Sequence, residues 1–232
     1  MIHVRVDLDC TVGDPQGSVF KYYCAAAARR RKRKYGALKL ATGITALDRI
    51  HQNLIAMGDD HDEETVRDVV QAVSDLAVQH QRSWSHLMRP LPGAVELLRQ
   101  LHVRDDVSVG TVTANMRGVA HVKLSALGVA EWVNPLVSAY GEEAWTRAEL
   151  VSLSLRRAGA DPADAVVLGD TVQDILAARG AGTRVVAVVS EVDGRAALEA
   201  AEPDVLLDDL TDTDAVLAAL LGHVPSRTLV AA

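Results

Sequence analysis

Two acidic pairs carry the chemical content of this sequence. Asp7 and Asp9 close the run Ile2-His3-Val4-Arg5-Val6-Asp7-Leu8-Asp9, and Asp170 and Asp174 follow the apolar run Ala165-Val166-Val167-Leu168-Gly169 far downstream. Ile2, Val4, Val6 and Leu8 recur at the two-residue period of a strand. If the two apolar runs are parallel neighbours, three or four carboxylates meet at one sheet edge. Such a cluster repels itself unless a cation sits in it, and hard oxygen donors with a helix N-terminus nearby suit Mg²⁺ and a phosphate. Taken singly, the first pair reads equally as a solvated strand end and the second as a helix N-cap. Together with a third strand end, Thr111-Val112-Thr113-Ala114-Asn115, they point to phosphoryl chemistry. A carboxylate can attack phosphorus and split a hard hydrolysis into two steps, which makes Asp7 the candidate nucleophile. Asp9 falls on the same side of a regular strand and can protonate a leaving alkoxide and then activate water. Asp170 completes a metal set with this pair. Asp174, one helical turn on, orients the ligands. The Thr113 hydroxyl and the neighbouring backbone N–H groups, including that of Ala114, suit a phosphoryl oxygen, while Asn115 reads as a cap for the following helix.

The elements that must position these groups alternate from about residue 90 onward. Helical patterns over 92–101, 117–127, 146–159, 172–179, 194–201 and 212–221 interleave with apolar runs at 107–113, 136–139, 165–168, 184–189 and 204–207. Short connections between apolar strands indicate a doubly wound, Rossmann-like parallel sheet covered on both faces, an α/β core. Ligands of such sheets sit beyond the carboxyl ends of the strands, where Asp7, Asp9, Thr113 and Asp170 fall. Residues 17–88 break the alternation. Ile44, Leu47, Ile50 and Leu54, then Val66, Val69, Val70, Val73 and Ala77, follow helical spacing. The expected organisation is a core from 1–16 and 89–232 with a helical insert, 17–88, after the first strand.

At these residues the chain resembles a known family. Asp7-Leu8-Asp9-Cys10-Thr11-Val12-Gly13-Asp14 resembles the first motif of the haloacid dehalogenase-like (HAD) phosphatases, DxDGT followed by a further Asp. Thr111 to Asn115 is similar to their second motif, and Gly169-Asp170-Thr171-Val172-Gln173-Asp174 to their fourth, GDxxxD. The order and spacing match over 1–16 and 90–221, and the insert falls where the phosphoglycolate phosphatase-like branch carries its cap. The resemblance implies that Mg²⁺ is held by Asp7, Asp170 and the backbone carbonyl of Asp9, and that the cap closes over the site. It also implies a third motif, a Lys or Arg that neutralises charge around the nucleophile and phosphate. Arg147, at the first turn of a helix opened by the capping box Thr146/Glu149, is the candidate. Lys123 is set aside because its helix position suggests a solvent face. Cys10 stands where the family has Gly, and Pro15 where it often has Ser. The stretch Leu40-Ala41-Thr42-Gly43-Ile44-Thr45 resembles the cap segment facing the site, which makes Thr42, Gly43 and Thr45 candidate substrate contacts, with Ile44 at the family's Arg position.

Bulk properties bound the partners. The 232 residues are 49% apolar but only 3% aromatic, so Val, Leu and Ala must fill the core. A net charge of −7 argues against chain-wide attraction to nucleic acid. Cys10 and Cys24 lack metal-type spacing and read as free thiols of a reducing cytoplasm. Neither a membrane span nor a signal peptide is expected. Arg29, Arg30, Arg31, Lys32, Arg33 and Lys34 form the one dense basic run, either a solvated segment or a patch that attracts an anionic substrate. The combined expectation is a cytoplasmic, Mg²⁺-dependent phosphatase that hydrolyses a small phosphomonoester through a phospho-aspartate. Its rivals are a phosphomutase on the same core, a haloacid dehalogenase proper, against which Asp9 argues, and a non-catalytic binding protein of the same fold.

Overall fold

The computed structural model describes residues 1–15, 43–80, 82 and 88–222. Cys24, the basic run at 29–34 and Thr42 lie outside the described residues. The core is a six-stranded parallel sheet. Its strands in chain order are β1 (Ile2–Val6), β4 (Val107–Thr113), β5 (Ala139–Tyr140), β6 (Ala165–Gly169), β7 (Arg184–Val188) and β8 (Val205–Leu207), arranged β5-β4-β1-β6-β7-β8. The first strand thus lies in the middle of the sheet. Val6 is level with Thr111 of β4 and Leu168 of β6, so the next steps of all three strands bring Asp7, Thr113 and Asp170 to one edge.

Helices cover both faces. One apolar cluster joins Val4, Val6, Val109, Val166 and Leu168 to Leu97, Leu98 and Leu101 of α3 (Ala94–His102) and to Val216 and Leu220 of α8 (Thr213–Leu221). The other joins Val112, Val167 and Val185 to Leu150, Val151 and Leu155 of α5 (Arg147–Ala158), Ile175 of α6 (Val172–Ala181) and Leu198 of α7 (Gly194–Ala200). With both faces covered, even the polar positions of β1 are interior. Arg5 is fully buried, its Nη1 donates to the carbonyl oxygens of Ser108 and Val4 at 3.0 Å each, and burial pushes its pKa down to about 10.

Two further features frame the site. After Asp7 the chain turns tightly, and β2 (Gly13–Pro15) pairs antiparallel with β3 (Met88–Pro90), Pro15 opposite Met88. Pro15 and Met88 therefore lie side by side, on either flank of the long stretch between them. Within the insert, α1 (Ala46–Ala56) and α2 (Glu63–Gln79) are each N-capped by a side chain, Thr45 and Asp62 respectively. Their buried stripe of Leu47, Ile50, Leu54, Val66, Val69, Val70 and Val73 closes against Met116, Val119 and Val122, at and within the core helix α4 (Arg117–Ala126). Gly118 of α4 makes this approach possible, because a Cβ there would meet Val78 Cγ2 at 3.0 Å and collide with Ser74 of α2. The insert is thus fastened to the core by apolar packing. Two hydrogen bonds reinforce it: Leu47 N–H to the Gly141 carbonyl (3.0 Å) and the Thr45 hydroxyl to the Trp145 carbonyl (3.0 Å).

Among the described residues, no helix is long and apolar enough to cross a membrane.

Candidate active site

The Asp7 N–H donates to the Leu168 carbonyl at 2.9 Å, which carries the β1 ladder one residue past the strand. The chain then turns between Leu8 and Gly13, and Cys10 adopts a left-handed φ of 60°. A non-glycine residue there costs roughly 1–2 kcal/mol, which gives the family's Gly at this position its physical reason. The turn directs Asp7 and Asp9 into a cleft of about 180 Å³. Cys10, Thr113, Ala114, Asn115, Arg147, Asp170 and Thr171 of the core line it, with Gly43 and Arg49 on the insert side and Val192 at its rim.

Asp7 is 5% exposed. Burial, and then the carboxylates of Asp174, Asp170 and Asp9, push its pKa well above the ordinary value, against the opposing pull of Arg147. Arg147 Nη2 stands 3.1 Å from Asp7 Oδ1 and also pairs with Asp174. Burial alone would lower the guanidinium's pKa, but Asp174, Asp7 and Asp170 more than offset this and hold it above its ordinary value. The helix carrying Arg147 starts at a capping box: Thr146 Oγ1 accepts from Glu149 N–H (3.2 Å) and Glu149 Oε2 accepts from Thr146 N–H (2.9 Å). Asp174 belongs to a second capping box. Its Oδ2 accepts from the Thr171 N–H (3.1 Å) and hydroxyl (2.6 Å). Asp174 therefore serves as both helix cap and partner of Arg147. Gly169 leaves room for it, since a Cβ there would collide with the Asp174 carboxylate.

Asp170 is 1% exposed and is held by neutral donors, Thr11 Oγ1 to Oδ1 (2.9 Å) and Ser190 Oγ to Oδ2 (2.7 Å). Burial first, and Asp174 next, push it up to about 6 despite these two hydroxyls. Each of Asp7, Asp170 and Asp174 offers an oxygen within 4.8 Å of the others. Asp7 and Asp170 resist ionisation in this crowd, and Arg147 contacts Asp7 and Asp174. The donor set fits a divalent cation such as Mg²⁺.

Asp9 turns away from this trio. Its carboxylate, 34% exposed, is gripped at both oxygens by Lys123 Nζ (2.6 Å each) and accepts from Asn115 Nδ2 at Oδ2 (3.0 Å). Asn115 also donates to Thr113 Oγ1 from Nδ2 (2.8 Å) and from its backbone N–H (3.2 Å). Two expectations are corrected here. Asn115 does not cap α4, whose N-cap is Met116 without a side-chain bond. Lys123 does not face solvent; its side chain is 6% exposed. Met116, Val119, Ala120, Lys123 and Leu127 follow the i, i+3, i+4 spacing of one buried face, so a lone lysine on an apolar stripe was the available signal.

The structure brings Asp7, Asp9, Thr113, Ala114, Arg147 and Asp170 to one cleft, with Asp174 behind them. Of the candidate cap contacts, Gly43 lines the cleft and sits on α6 with a φ of 75°, where a Cβ would approach Gln173 Cβ to 2.8 Å. Thr45 does not; it is 1% exposed and its hydroxyl is spent on Trp145. Sequence reasoning missed Arg49, the cation that α1 contributes to the cleft. It also missed Thr11 and Ser190, which hold Asp170.

A family model, Haloacid dehalogenase-like hydrolase, matches residues 6–188. A Pyrophosphatase PpaX of Bacillus velezensis is 30% identical over 105 residues, covering 45% of this chain and 49% of the relative. That of Bacillus pumilus is 28% identical over 153 residues, covering 63% and 70%. The chain thus spans about half the length of the first relative and somewhat more than two thirds of the second. Among solved structures, a mutant CbbY from Rhodobacter sphaeroides in complex with xylulose-(1,5)bisphosphate superimposes with a TM-score of 0.72 at 19% identity, covering 91% of this chain and 96% of that one. A putative beta-phosphoglucomutase from Thermotoga maritima gives 0.57 at 18% identity, covering 95% and 100%. At these identities the structural likeness speaks to the fold alone.

Proposed function

The chain belongs to the haloacid dehalogenase-like hydrolases, and from that premise we propose a Mg²⁺-dependent phosphatase acting on a small phosphorylated metabolite through a phospho-aspartate on Asp7. The observation that carries the reading is the cleft itself. There a buried Asp7 clamped by Arg147 shares one sheet edge with Asp9, Thr113 and Asp170.

In this mechanism an Asp7 carboxylate oxygen attacks phosphorus and the bond from phosphorus to the ester oxygen breaks. Asp9 gives its proton to the departing alkoxide. Water then attacks the acyl phosphate, Asp9 takes the proton, and phosphate leaves with the Asp7 carboxylate regenerated. Thr113 Oγ1 already accepts two bonds from Asn115, so its part toward the substrate is to donate its own hydrogen to a phosphoryl oxygen. Arg147 keeps Asp7 in place and offsets charge as the anion arrives. Asp7, Asp170 and the Asp9 backbone carbonyl would hold Mg²⁺, which when bound supplies the positive charge that lets one anion approach another. Arg49, on the insert side of the same cleft, suits a substrate with a second anionic group, as pyrophosphate has.

The test is phosphate release from a panel of phosphomonoesters and pyrophosphate, with and without Mg²⁺, for the wild type and Asp7→Asn. Turnover that needs Mg²⁺ and is lost in Asp7→Asn is the expected result. Full activity in chelator, or an active Asp7→Asn free of deamidation, overturns the reading. An isomerised sugar phosphate in place of free phosphate would make the enzyme a mutase.

A further inference from the structure

Lys123 has no part in the mechanism above, yet it is the one charged side chain on the buried stripe of α4. Its ammonium has three hydrogens and three acceptors: Asp9 Oδ1 and Oδ2 at 2.6 Å each and Asn115 Oδ1 at 2.8 Å. It has no donor left for a substrate. It does not line the cleft either, whereas Asp9, Thr113 and Asn115 all do. Lys123 therefore stands behind the cleft wall, and among the described residues its ammonium bonds groups that face the cleft.

Those groups form one connected set. Asn115 spends both amide hydrogens, one on Asp9 Oδ2 and one on Thr113 Oγ1, and its oxygen accepts from Lys123. Asp9 and the Thr113 hydroxyl are thus fixed relative to each other through one amide, with the lysine anchoring the acid and the amide. The surroundings explain why an anchor is needed. Asp9 directly precedes the left-handed Cys10, past the end of β1, and is one-third exposed, so its side-chain direction depends on the partners its oxygens find. A charge-assisted grip on both oxygens does.

We propose that Lys123 is the positioning residue of this enzyme's acid–base group, holding the Asp9 carboxylate at the cleft in fixed relation to Thr113. The proposal rests on the phosphatase reading and adds a residue that acts chiefly through Asp9 and touches no substrate.

The experiment compares Lys123→Met, which keeps the volume and removes the grip, with Asp9→Asn and the double variant. Each is assayed on an alkyl phosphate and on an aryl phosphate whose leaving group needs little protonation. Lys123→Met should lower kcat on the alkyl ester about 10–100-fold, the usual scale for groups that orient a reacting residue. It should lower kcat far less on the aryl ester and leave KM in place. It should add nothing in the Asp9→Asn background, and Lys123→Arg, which can still clamp a carboxylate, should retain more activity. Equal losses on both esters, additivity with Asp9→Asn, or a raised KM at constant kcat would overturn the proposal. Lys123→Gln, which keeps much of the reach without the charge, gives the same readout should the Met variant misfold. A wild type inactive across the whole panel overturns the phosphatase reading together with this role, whereas an active wild type with an indifferent Lys123→Met overturns this role alone.

Discussion

Replacing Asp170 by Asn should stabilise the metal-free protein at neutral pH and leave it nearly unchanged in acid. Asp170 is 1% exposed, and burial and its neighbour Asp174 push it from 3.8 to about 6. The folded state then holds this proton more tightly than the unfolded chain. Its contribution to stability is complete below pH 4, is withdrawn as pH rises, and is gone above about 6. At about 1.4 kcal/mol per unit, a shift of roughly two units corresponds to about 3 kcal/mol at pH 7. For a chain of this length, about 3 kcal/mol moves Tm by roughly 6–12 °C. Asn has no proton to lose, and its amide can still meet the Thr11 and Ser190 hydroxyls. In chelator, the Tm of Asp170→Asn minus that of wild type should be near zero at pH 4.5 and rise to several degrees by pH 7.5. Other titrating groups largely cancel in this difference. Saturating Mg²⁺ should then raise the wild type, because a ligand that binds only the folded form stabilises it, and raise the variant much less. A difference that is flat from pH 4.5 to 7.5, or a variant less stable than wild type in chelator at pH 7.5, would refute the reasoning that this carboxylate is strained without a cation.

Two further outcomes follow from the charges around the turn. Burial, and then the carboxylates of Asp170, Asp9, Asp14 and Asp7, push the Cys10 thiol up to about 12, so iodoacetamide at pH 7.5 should label it far more slowly in the native protein than in urea. Rapid native labelling seen by peptide mass spectrometry would contradict that. Arg147→Met should abolish turnover and lower the free energy of urea unfolding by about 3–5 kcal/mol, since it leaves Asp7 and Asp174 buried without their cation. Arg147→Lys should recover much of the stability, and a Met variant as stable as wild type would show that the pairing does not matter.

The parts of the site legible in the sequence are those that sit on or beside a regular element. Thr113 closes a short apolar strand and Asp7 and Asp170 each follow one, so the chain order alone places them at strand ends. Arg147 follows a capping box that fixes where its helix starts. What was not legible depends on what a side chain meets across the fold. Arg49 lies off the buried stripe of α1, and no local pattern says that this face of the helix looks into the cleft. The β2–β3 pair consists of three-residue strands containing Pro15 and Pro90, a composition that hides strand periodicity. Arg5 reads as the outward half of an alternating strand, but a sheet covered on both faces has no outward half. Lys123 differs from these, because its place on the apolar stripe of α4 is visible in the spacing and was outweighed by its charge.

Two buried cations thereby divide the work of two acids that stand only two residues apart. Arg147 reaches Asp7 and Asp174 from α5 on one side of β1, and Lys123 reaches Asp9 from α4 on the other. The end of β1 at Val6 and the turn that begins at Leu8 allow this, since a straight strand would leave both carboxylates facing the same partners. Asp7 ends up sealed beside other carboxylates, where an attacking oxygen is shielded from water. Asp9 ends up one-third exposed, the setting that the proposed mechanism asks of a group trading a proton with a leaving group and then with water. Chemically identical side chains acquire different roles from their surroundings. On the proposed mechanism, the roles in this chain are set as much by which helix supplies the cation as by the acidic motif itself.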